Sequence, residues 1–403
     1  MTLRMPYPVM FAILGMLIAG AAWGDPPASA ADYNYVVGTQ TIGPAYRFTK
    51  QTALVETAQA TLDLGSNILK IHLSRDYGKG GYPGVVPNPA VHSLRDLARD
   101  EPSFRHVLDM PFRHYLLWTY SFSAAWWDHG FAAKDAEAEY REIYDFTRYL
   151  LTKYNRTGKR FLLGHWEGDW YLHPGYDPKR DPDPKAVQGM IDWLNTRQRA
   201  IEDAKRDIKH TNVEVYQYTE VNLVRKAMQG GHALTNDVLP KTTVDYVSYS
   251  SYDSLQGEGA ALRGSLQKAL DYIETKLPPK SGLPGKRVFI GEYGFPAQGF
   301  EAEKQADRSR DVIEAGLEWG CPYILYWEMY NNEIKDGRQV GFWLIDDKGR
   351  KQPVYHLLHD FLDRAKAYTV SFQKSNRRLP TDGEYRRKAL LLLAAPSLSP
   401  QKN

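Results

Sequence analysis

The stretch Arg287 to Pro296 reads RVFIGEYGFP and decides the fold class of this chain. A β-rich apolar run delivers one carboxylate, Glu292, to its end, and Gly294 and Pro296 then interrupt the strand. Taken alone, a glutamate at the end of a strand is more often a solvated loop residue. In barrel enzymes, however, strand ends are where catalytic side chains are presented. Glu292 is therefore a candidate nucleophile. The assignment depends on whether other apolar runs of the chain also end in such side chains.

Two further apolar runs end in side chains of related chemistry. Residues 160–170 read RFLLGHWEGDW and bring Glu167 to the end of a strand, 125 residues before Glu292. Residues 322–332 read PYILYWEMYNN and end in aromatic and amide side chains. Carboxylates, aromatic rings and amides together are the groups expected where a protein binds and cleaves sugars.

The rest of the chain alternates strand-like with helix-like segments. Eight strands, each followed by a helix or a helix-containing loop, predict a single α/β domain with the (β/α)8 TIM-barrel fold. An open doubly wound sheet fits less well, because no Gly-rich phosphate-binding loop follows the first strand. The predicted strands are residues 35–41, 67–73, 114–121, 160–166, 213–218, 244–250, 287–292 and 323–327. The clearest predicted helices are residues 49–64, 134–154, 185–209, 260–277, 301–318 and 354–367.

Composition sets limits on function. The 403 residues are 43% hydrophobic, which is enough to bury a large core. Lys and Arg number 51 against 48 Asp and Glu, so the net charge of +3 provides no strong field to attract nucleic acid. The single cysteine, Cys321, excludes an intramolecular disulfide. We expect no cofactor and no metal, and the oligomeric state is left open.

The N-terminus has the pattern of a targeting segment. Arg4 precedes an apolar run from Val9 to Ala22 that is too short and too rich in Gly and Ala to span a membrane. Small residues at 22–24 or 28–30 would supply a cleavage site. We predict a secretory signal peptide and short leader in residues 1–30, and a secreted or periplasmic protein with no membrane association after cleavage. The barrel is then predicted to span residues 31–367, followed by a C-terminal tail, 368–403, of unknown role.

Three long loops are predicted at the carboxyl-terminal ends of strands, where barrel enzymes build their sites. They are residues 76–89, 171–184 and 330–351, after the second, fourth and eighth strands. The last contains GRQVGFWLIDDKGR at 337–350, which predicts a β-hairpin across the barrel mouth.

Three strand ends together resemble clan A of the retaining glycoside hydrolases, the cellulase and mannanase type. They are the fourth strand ending in Glu167, the seventh with GEYGF around Glu292, and the eighth with Tyr326-Trp327. The resemblance covers roughly residues 32–364. Its last part, FWLIDDKGRKQPVYHLLHDF at 342–361, resembles the hairpin and proline-started helix that end such barrels.

The resemblance implies a secreted enzyme that cleaves O-glycosidic bonds of a poly- or oligosaccharide by double displacement. It assigns the acid/base role to Glu167, the nucleophile to Glu292 and a sugar platform to Trp327. Tyr252, in SYSSYDS, matches the tyrosine that supports the nucleophile in this clan, although it is one of 27 tyrosines and packing would explain it equally well. The carboxyl groups of a retaining pair stand about 5 to 5.5 Å apart. An ionised Glu292 is expected to raise the pKa of Glu167 and keep it an acid.

One departure from the clan concerns the residue before the acid/base. The clan usually has asparagine there, whose amide binds the sugar 2-hydroxyl, whereas this chain has Trp166. No family within the clan is therefore assigned. Asn222 in YTEVN or Asn331 would supply a similar amide, unless either caps a turn. A barrel that binds carbohydrate without cleaving it also stays open, although both glutamates are present.

A metal-dependent hydrolase or isomerase is the rival enzyme class. His165, Glu167 and Asp169 would share one face of a strand at period two and could bind a divalent metal. Gly168 ends the regular strand, however, and no HxH or HExxH pattern occurs. In the glycosidase interpretation, His165 and Asp169 line the floor and rim of the site and polarise substrate hydroxyls. Side chains that would complete a metal shell lie on other strands: His72 and Glu220.

Aromatic residues make up 13% of the chain, and many of them lie near predicted strand ends. Tryptophan faces stack on the apolar faces of pyranose rings, so a row of them in a cleft indicates sugar subsites. Trp166, Trp170 and Trp327 are the predicted sugar-binding members. Trp193 and Trp319 fall within helices and are predicted to be packing residues.

Overall fold

The computed structural model describes residues 29–123 and 126–396. Eight parallel strands close into a barrel in sequence order, and the last pairs with the first. This confirms the predicted (β/α)8 barrel, and every strand boundary lies within three residues of its predicted position. The strands are β1 Val37–Gln40, β2 Ile68–Leu73, β3 His114–Thr119, β4 Arg160–Gly164, β5 Glu214–Val221, β6 Tyr246–Ser250, β7 Val288–Tyr293 and β8 Ile324–Tyr326.

Helices surround the barrel, and the six predicted ones are all present. Sequence reasoning missed the pair of helices after β2 and the last helix of the chain, as well as three short helices in the loops after β4 and β5. The helices are α1 Ala53–Asp63, α2 Leu94–Asp100, α3 Pro102–Asp109, α4 Ala133–Lys153, α5 Gly168–Leu172, α6 Pro184–Asp207, α7 Val224–Met228, α8 Leu234–Asp237, α9 Gly259–Lys276, α10 Ala302–Trp319, α11 Pro353–Asn376 and α12 Asp382–Ala394. None of the helices in residues 29–123 and 126–396 is long and apolar enough to cross a membrane.

The C-terminal segment packs against the barrel. The helix α11 continues nine residues beyond the predicted barrel end at residue 367, and α12 follows it after a short turn. Tyr385 of α12 is buried, and its hydroxyl donates to the backbone carbonyl of Tyr35, two residues before β1. The described part of the tail therefore covers the amino-terminal end of the barrel. The predicted signal peptide lies almost wholly in residues 1–28, outside the described residues.

The loop after β8 contains a hairpin, although not at the predicted residues. The paired strands are β9 Ile334–Lys335 and β10 Arg338–Gln339, and a single antiparallel bridge joins Ile345 to Lys351. The predicted hairpin at 337–350 is corrected accordingly.

Side-chain alternation along the strands separates two apolar layers. In β2, Leu69, Ile71 and Leu73 point out toward the helices, whereas Ile68 joins the cluster inside the barrel. The same period places Lys70 in the barrel interior, where it is fully buried. The interior cluster includes Leu116, Trp118, Leu162, Tyr218, Phe289, Leu325 and Trp327. Polar side chains lie on top of this apolar filling, at the carboxyl-terminal end of the strands.

Candidate active site

A β-bulge in β7 turns Glu292 into the barrel. The register between β6 and β7 shifts at Ser250, which pairs with Glu292, so Gly291 is an extra residue on β7. Gly291 and Glu292 both face the interior, where strict alternation would have sent Glu292 outward. A side chain at position 291 has no room, because a Cβ atom there would lie 1.7 Å from Ser248 Oγ. Gly291, the first glycine of GEYGF, therefore allows the carboxylate of Glu292 to reach the site.

Glu167 is held by the turn that joins β4 to α5. The backbone of β4 passes directly over the ring of Tyr218, since a Cβ on Gly164 would come within 2.3 Å of that ring. Glu167 immediately precedes α5. Its backbone N–H donates to Glu220 Oε1 at 3.0 Å, and Trp170 donates its indole N–H to Glu167 Oε2. Hydrogen bonds to its backbone and to its side chain therefore hold Glu167 in place.

Ser250 brings the two predicted catalytic carboxylates together. Its hydroxyl oxygen lies 2.5 Å from Glu167 Oε1 and 3.3 Å from Glu292 Oε2. These distances place the two carboxylate oxygens no more than 5.8 Å apart. Both glutamates are nearly buried, with exposed fractions of 8% for Glu167 and 2% for Glu292. The two residues that the sequence singled out thus share one hydrogen-bonding partner at the barrel mouth.

Lys70 is the cation of the site. Its Nζ lies 2.9 Å from Glu220 Oε2 and 3.1 Å from Glu292 Oε1, and it donates to the backbone carbonyl of Gly291 at 3.3 Å. The ammonium also lies 4.3 Å from the ring centre of Trp118, which adds a cation–π contact. Two carboxylates therefore share one buried ammonium, and a third, Glu167, lies next to them.

Burial dominates the electrostatics of both glutamates. It raises the pKa of Glu167 to about 7, opposed by the hydrogen bond from Ser250 and assisted by the charge of Glu220. The sequence expectation attributed a raised pKa at Glu167 to Glu292 instead. Burial also raises the pKa of Glu292 well above its usual value, while the ammonium of Lys70 pulls it down and the charges of Glu220 and Glu167 push it up. Lys70 contacts Glu292 and not Glu167, so the direct ion pair favours negative charge on Glu292.

Two predicted aromatic contacts lie close to the pair. Trp327 is 7% exposed, lies 6.2 Å from Trp118 between ring centres, and donates its indole N–H to Glu333 Oε1 at 3.1 Å. Tyr252 is half-buried in the turn after β6, with its ring centre 6.0 Å from that of Phe342. Burial and then the charges of Glu292 and Glu167 raise the pKa of Tyr252, as expected for a ring beside the carboxylates.

Trp166 immediately precedes Glu167, and Trp170 follows it in α5. Both rings are half-buried, and Trp166 meets Tyr171 edge to face at 5.7 Å. The backbone N–H of Trp166 donates to the hydroxyl of Tyr120 at 2.9 Å. In this chain, the position that carries asparagine in clan A is therefore a partly exposed indole at the edge of the site.

His165 and Asp169 have other partners than a substrate. The ring of His165 is buried between the carbonyl of Trp166 at 2.9 Å and the hydroxyl of Thr219 at 2.7 Å, and burial lowers its pKa to about 3. A neutral ring that donates from Nδ1 and accepts at Nε2 satisfies both contacts. Asp169 is fully buried and accepts the backbone N–H groups of residues 222, 223 and 234. The predicted polarisation of substrate hydroxyls by these two residues is corrected: they anchor the turn and the neighbouring loops.

The two asparagines offered as substitutes for the missing amide differ. Asn331 is buried, and its amide binds Glu333 and Gln339 while its oxygen accepts two backbone N–H groups of the β8 loop. It is a loop anchor, which corrects its predicted substrate contact. Asn222 is 6% exposed at the end of β5, and its side-chain oxygen has no hydrogen-bond partner among the described residues. Asn222 thus keeps an unused amide oxygen.

The proposed metal triad does not converge. His165 binds the hydroxyl of Thr219, Asp169 accepts backbone N–H groups, and Glu167 binds Ser250. The three side chains therefore share no partner. Within residues 29–123 and 126–396, no group of three or more His, Cys, Asp or Glu side chains has an arrangement that could hold a metal ion.

Sequence reasoning missed Lys70 and Ser250, and considered Glu220 only as a metal ligand. A period-two reading of β2, ILKIHL, would have placed Lys70 on the same face as Ile68 and His72, inside the barrel. A lysine in a strand that is otherwise apolar is a usable signal, since buried lysines need a partner.

A cleft opens beside Glu167, over the loops that follow β2, β3 and β4. It encloses about 1160 Å³ and shares Trp170 with the carboxylate pair. Aromatic and charged side chains line it, among them Arg75, Trp126, Tyr171, Tyr176 and Arg180. The cleft provides space for a molecule that extends away from Glu167.

Comparison with known proteins gives a likeness in structure only. No protein-family model matches the chain, and no curated protein does. A GH5_18 variant from Streptomyces cattleya, in complex with Manb1-4GlcNAc, superposes with a TM-score of 0.55 at 13% identity, over 88% of this chain and 87% of the other. The exo-beta-1,4-mannosidase Op5Man5 from Opitutaceae bacterium strain TAV5 has a TM-score of 0.54 at 12% identity, over 83% of this chain and 60% of the other.

A third structure is a mutant of a glycoside hydrolase 5 lichenase from Caldicellulosiruptor sp. F32, in complex with cellotetraose. Its TM-score is 0.51 at 14% identity, over 88% of this chain and 99% of the other. The first and third of these structures are named as members of glycoside hydrolase family 5, and the second as a mannosidase. At these identities the likeness shows the shared barrel fold.

Proposed function

We propose that the protein is a retaining glycoside hydrolase, secreted or periplasmic, that cleaves a poly- or oligosaccharide. The observation that carries the proposal is the bridge of Ser250 between Glu167 and Glu292, of which only Glu292 contacts Lys70. Two carboxylates this close fit the spacing of about 5 to 5.5 Å that double displacement needs, better than the wider gap that holds a water molecule in inverting enzymes. Two of the structural neighbours named above are in complex with sugars, Manb1-4GlcNAc and cellotetraose, and they support the same class.

The environments of the two carboxylates fit different roles. Burial gives Glu167 a pKa of about 7, so it carries a proton at mildly acidic pH. Burial raises the pKa of Glu292, and the ammonium at 3.1 Å opposes this effect and favours the carboxylate form. A serine hydroxyl has one proton to give, so it cannot donate to both glutamates at once. A protonated Glu167 would donate to Ser250, which would then donate to Glu292.

The reaction follows from these states. Glu292 attacks the anomeric carbon, and the bond to the leaving oxygen breaks while that oxygen takes the proton of Glu167. Glu167, now a carboxylate, takes a proton from water as the water oxygen attacks the same carbon. The bond to Glu292 breaks and both glutamates return to their starting states. Two displacements at one carbon leave its configuration unchanged.

The rings and the cleft place the substrate. Trp327 and Trp118 offer apolar faces beside the carboxylates, and Asn222 offers a free amide oxygen for a hydroxyl. The leaving group must lie on the side of the acid, and the cleft opens next to Glu167 through Trp170. We therefore place the leaving portion of the sugar in the cleft.

A glycan panel with and without EDTA tests the function. We expect purified protein to release reducing sugar from at least one glycan, in a panel led by β-1,4-linked mannose and glucose oligosaccharides. EDTA should change neither the rate nor the melting temperature, because the proposed steps use only carboxylates and hydrogen bonds. Activity lost in EDTA and restored by zinc or manganese would favour the metal-dependent alternative. Sugar binding without cleavage of any glycan would favour a carbohydrate-binding barrel.

Replacing Trp327 by alanine tests the platform. We expect kcat/KM to fall by about 5- to 150-fold, equivalent to about 1 to 3 kcal/mol of lost transition-state binding. Since the ring is nearly buried, the free energy of unfolding should also fall, by about 3 to 5 kcal/mol, so rates are measured well below the melting temperature.

The matched control is Trp319→Ala, which removes an indole from the outer helix layer, where it donates to Asp271 at 2.7 Å. This control should leave kcat/KM unchanged. A Trp327→Ala enzyme with normal kinetics and only lower stability would show that the ring is a core residue and not a platform.

A further inference from the structure

Glu220 is a buried carboxylate that the proposed reaction does not use. It lies on β5, one full side-chain period above Tyr218 of the interior cluster, and it is fully buried. Because its side chain is fully buried, Glu220 has no open surface through which a glycosidic oxygen could contact it. Its hydrogen bonds are therefore the evidence for what it does.

Two of the three hydrogen bonds of Glu220 lead to the proposed catalytic pair. Oε1 accepts the backbone N–H of Glu167 at 3.0 Å. Oε2 accepts Lys70 Nζ at 2.9 Å and the hydroxyl of Ser248 at 2.6 Å. Lys70 in turn holds Glu292 at 3.1 Å. Glu220 thus links the backbone of the proposed acid to the cation that holds the proposed nucleophile.

The number of charges argues against a purely structural role. Two other buried carboxylates of the protein do not share a cation: Glu139 of α4 has Arg197 of α6 to itself at 2.6 Å, and Asp169 accepts only backbone N–H groups. Here Glu220 and Glu292 share Lys70, and Glu167 lies alongside. Burying an excess of carboxylates is costly, and apolar residues would fill the same space at less cost. An arrangement so unfavourable for stability points to function.

We propose that Glu220 is a positioning residue, which fixes the Glu167 backbone and shares Lys70 with Glu292 so that the two catalytic carboxylates keep their spacing. This inference rests on the proposed function and deepens it. Glu220→Gln is close to isosteric, but an amide has only one accepting oxygen. In either orientation the N–H of Glu167 or the donors Lys70 and Ser248 lose their acceptor, so one end of the link is broken.

The first test is kinetic. We expect Glu220→Gln to lower kcat by at least about a hundredfold while KM changes by less than about threefold, since the geometry of the pair and not substrate binding is altered. The matched control is Asp245→Asn at the opposite end of β6. Asp245 is also buried and binds a lysine, Lys280 at 2.7 Å, and a backbone N–H, that of Gln217 at 2.9 Å. The control should keep its kcat.

The second test reads the pair without substrate. Trp170 donates its indole N–H to Glu167, so its indole NMR signal, assigned with Trp170→Phe, should report the titration of Glu167. The wild-type midpoint is expected near pH 7. The charge of Glu220 raises the pKa of Glu167, so Glu220→Gln should lower this midpoint by at least about half a pH unit. Asp245→Asn should not move this midpoint.

The groups that face Glu220 must be kept unchanged in both tests. They are Lys70 on β2, Tyr120 after β3, Glu167 and Tyr171 after β4, Tyr218 on β5, Ser248 on β6 and Glu292 on β7.

The outcomes separate the two proposals. Loss of kcat together with a lowered midpoint supports the role of Glu220, whereas a variant that behaves like Asp245→Asn in both tests overturns it. If wild type cleaves no glycan but the midpoint still falls, the proposed function fails and the coupling of Glu220 to Glu167 stands. If Glu220→Gln does not fold, Ser248→Ala serves as the second variant, because it removes one hydrogen bond from the same carboxylate. It should change both kcat and the midpoint of the Trp170 titration. Unchanged readouts in that variant would count against the inference.

Discussion

Glu292→Gly is expected to lower the rate of hydrolysis by at least about ten-thousandfold while the protein still binds oligosaccharide. The substitution removes the group proposed to attack the anomeric carbon, and it leaves Trp327 and the cleft in place. The barrel should remain folded, because Lys70 keeps Glu220 as a partner at 2.9 Å after the carboxylate at 292 is gone. Hydrolysis is measured on an aryl glycoside of the sugar that the panel identifies, and binding by calorimetry with the matching oligosaccharide.

Azide or formate should restore turnover in this variant. The removed side chain leaves space in which a small anion can attack the anomeric carbon, and the positive charge of Lys70 favours an anion there. A single displacement then gives a product of inverted configuration, which NMR of the fresh product identifies. A Glu292→Gly protein as active as wild type would mean that the barrel uses another nucleophile, and the whole assignment would fail.

The fold was predictable because the sequence shows both short β-rich runs typical of strands and the helical period of amphipathic segments. Strands such as ILKIHL and YILYW are short, β-rich and bounded by turn residues, and the helices between them are long and amphipathic. The helices α2 and α3 were missed because a charged seven-residue helix and its neighbour follow a long Gly- and Pro-rich loop. The helix α12 was missed because its packing depends on Tyr385 reaching Tyr35, 350 residues away in sequence.

The site was predictable only in part. Glu167 and Glu292 follow apolar strand-like runs, and this shared pattern made them candidates, but the bulge at Gly291 that aims Glu292 inward depends on the register with β6. Asp169 and Asn331 have the side chains that sugar sites use, yet their oxygens accept backbone N–H groups, from a segment 65 residues away for Asp169 and from the same loop after β8 for Asn331. Sequence gives the chemistry of a polar side chain, and only the fold determines which donors reach it first.

Glu167→Ala should give a different defect from the loss of Glu292, the proposed nucleophile, and this difference assigns the two glutamates. With natural glycans, whose leaving oxygen needs a proton, we expect kcat/KM to fall by about 10²- to 10⁴-fold. With a dinitrophenyl glycoside, whose leaving group departs without a proton, the first displacement should remain fast, because Glu292 still has Lys70 at 3.1 Å. The second displacement then lacks its base, so a burst of dinitrophenol should precede slow turnover.

Azide should speed that slow step, since it needs no base to attack the glycosyl-enzyme bond, and the glycosyl azide should have retained configuration after two displacements. The same anion thus gives an inverted product with Glu292→Gly and a retained product with Glu167→Ala. The control is Trp170→Phe, which removes the indole N–H donor to Glu167 but leaves the carboxylate, and it should show no azide dependence. If the two glutamate variants gave products of the same configuration, the roles of acid and nucleophile could not be divided between Glu167 and Glu292, because only one of these substitutions opens the face of the sugar that the nucleophile occupies.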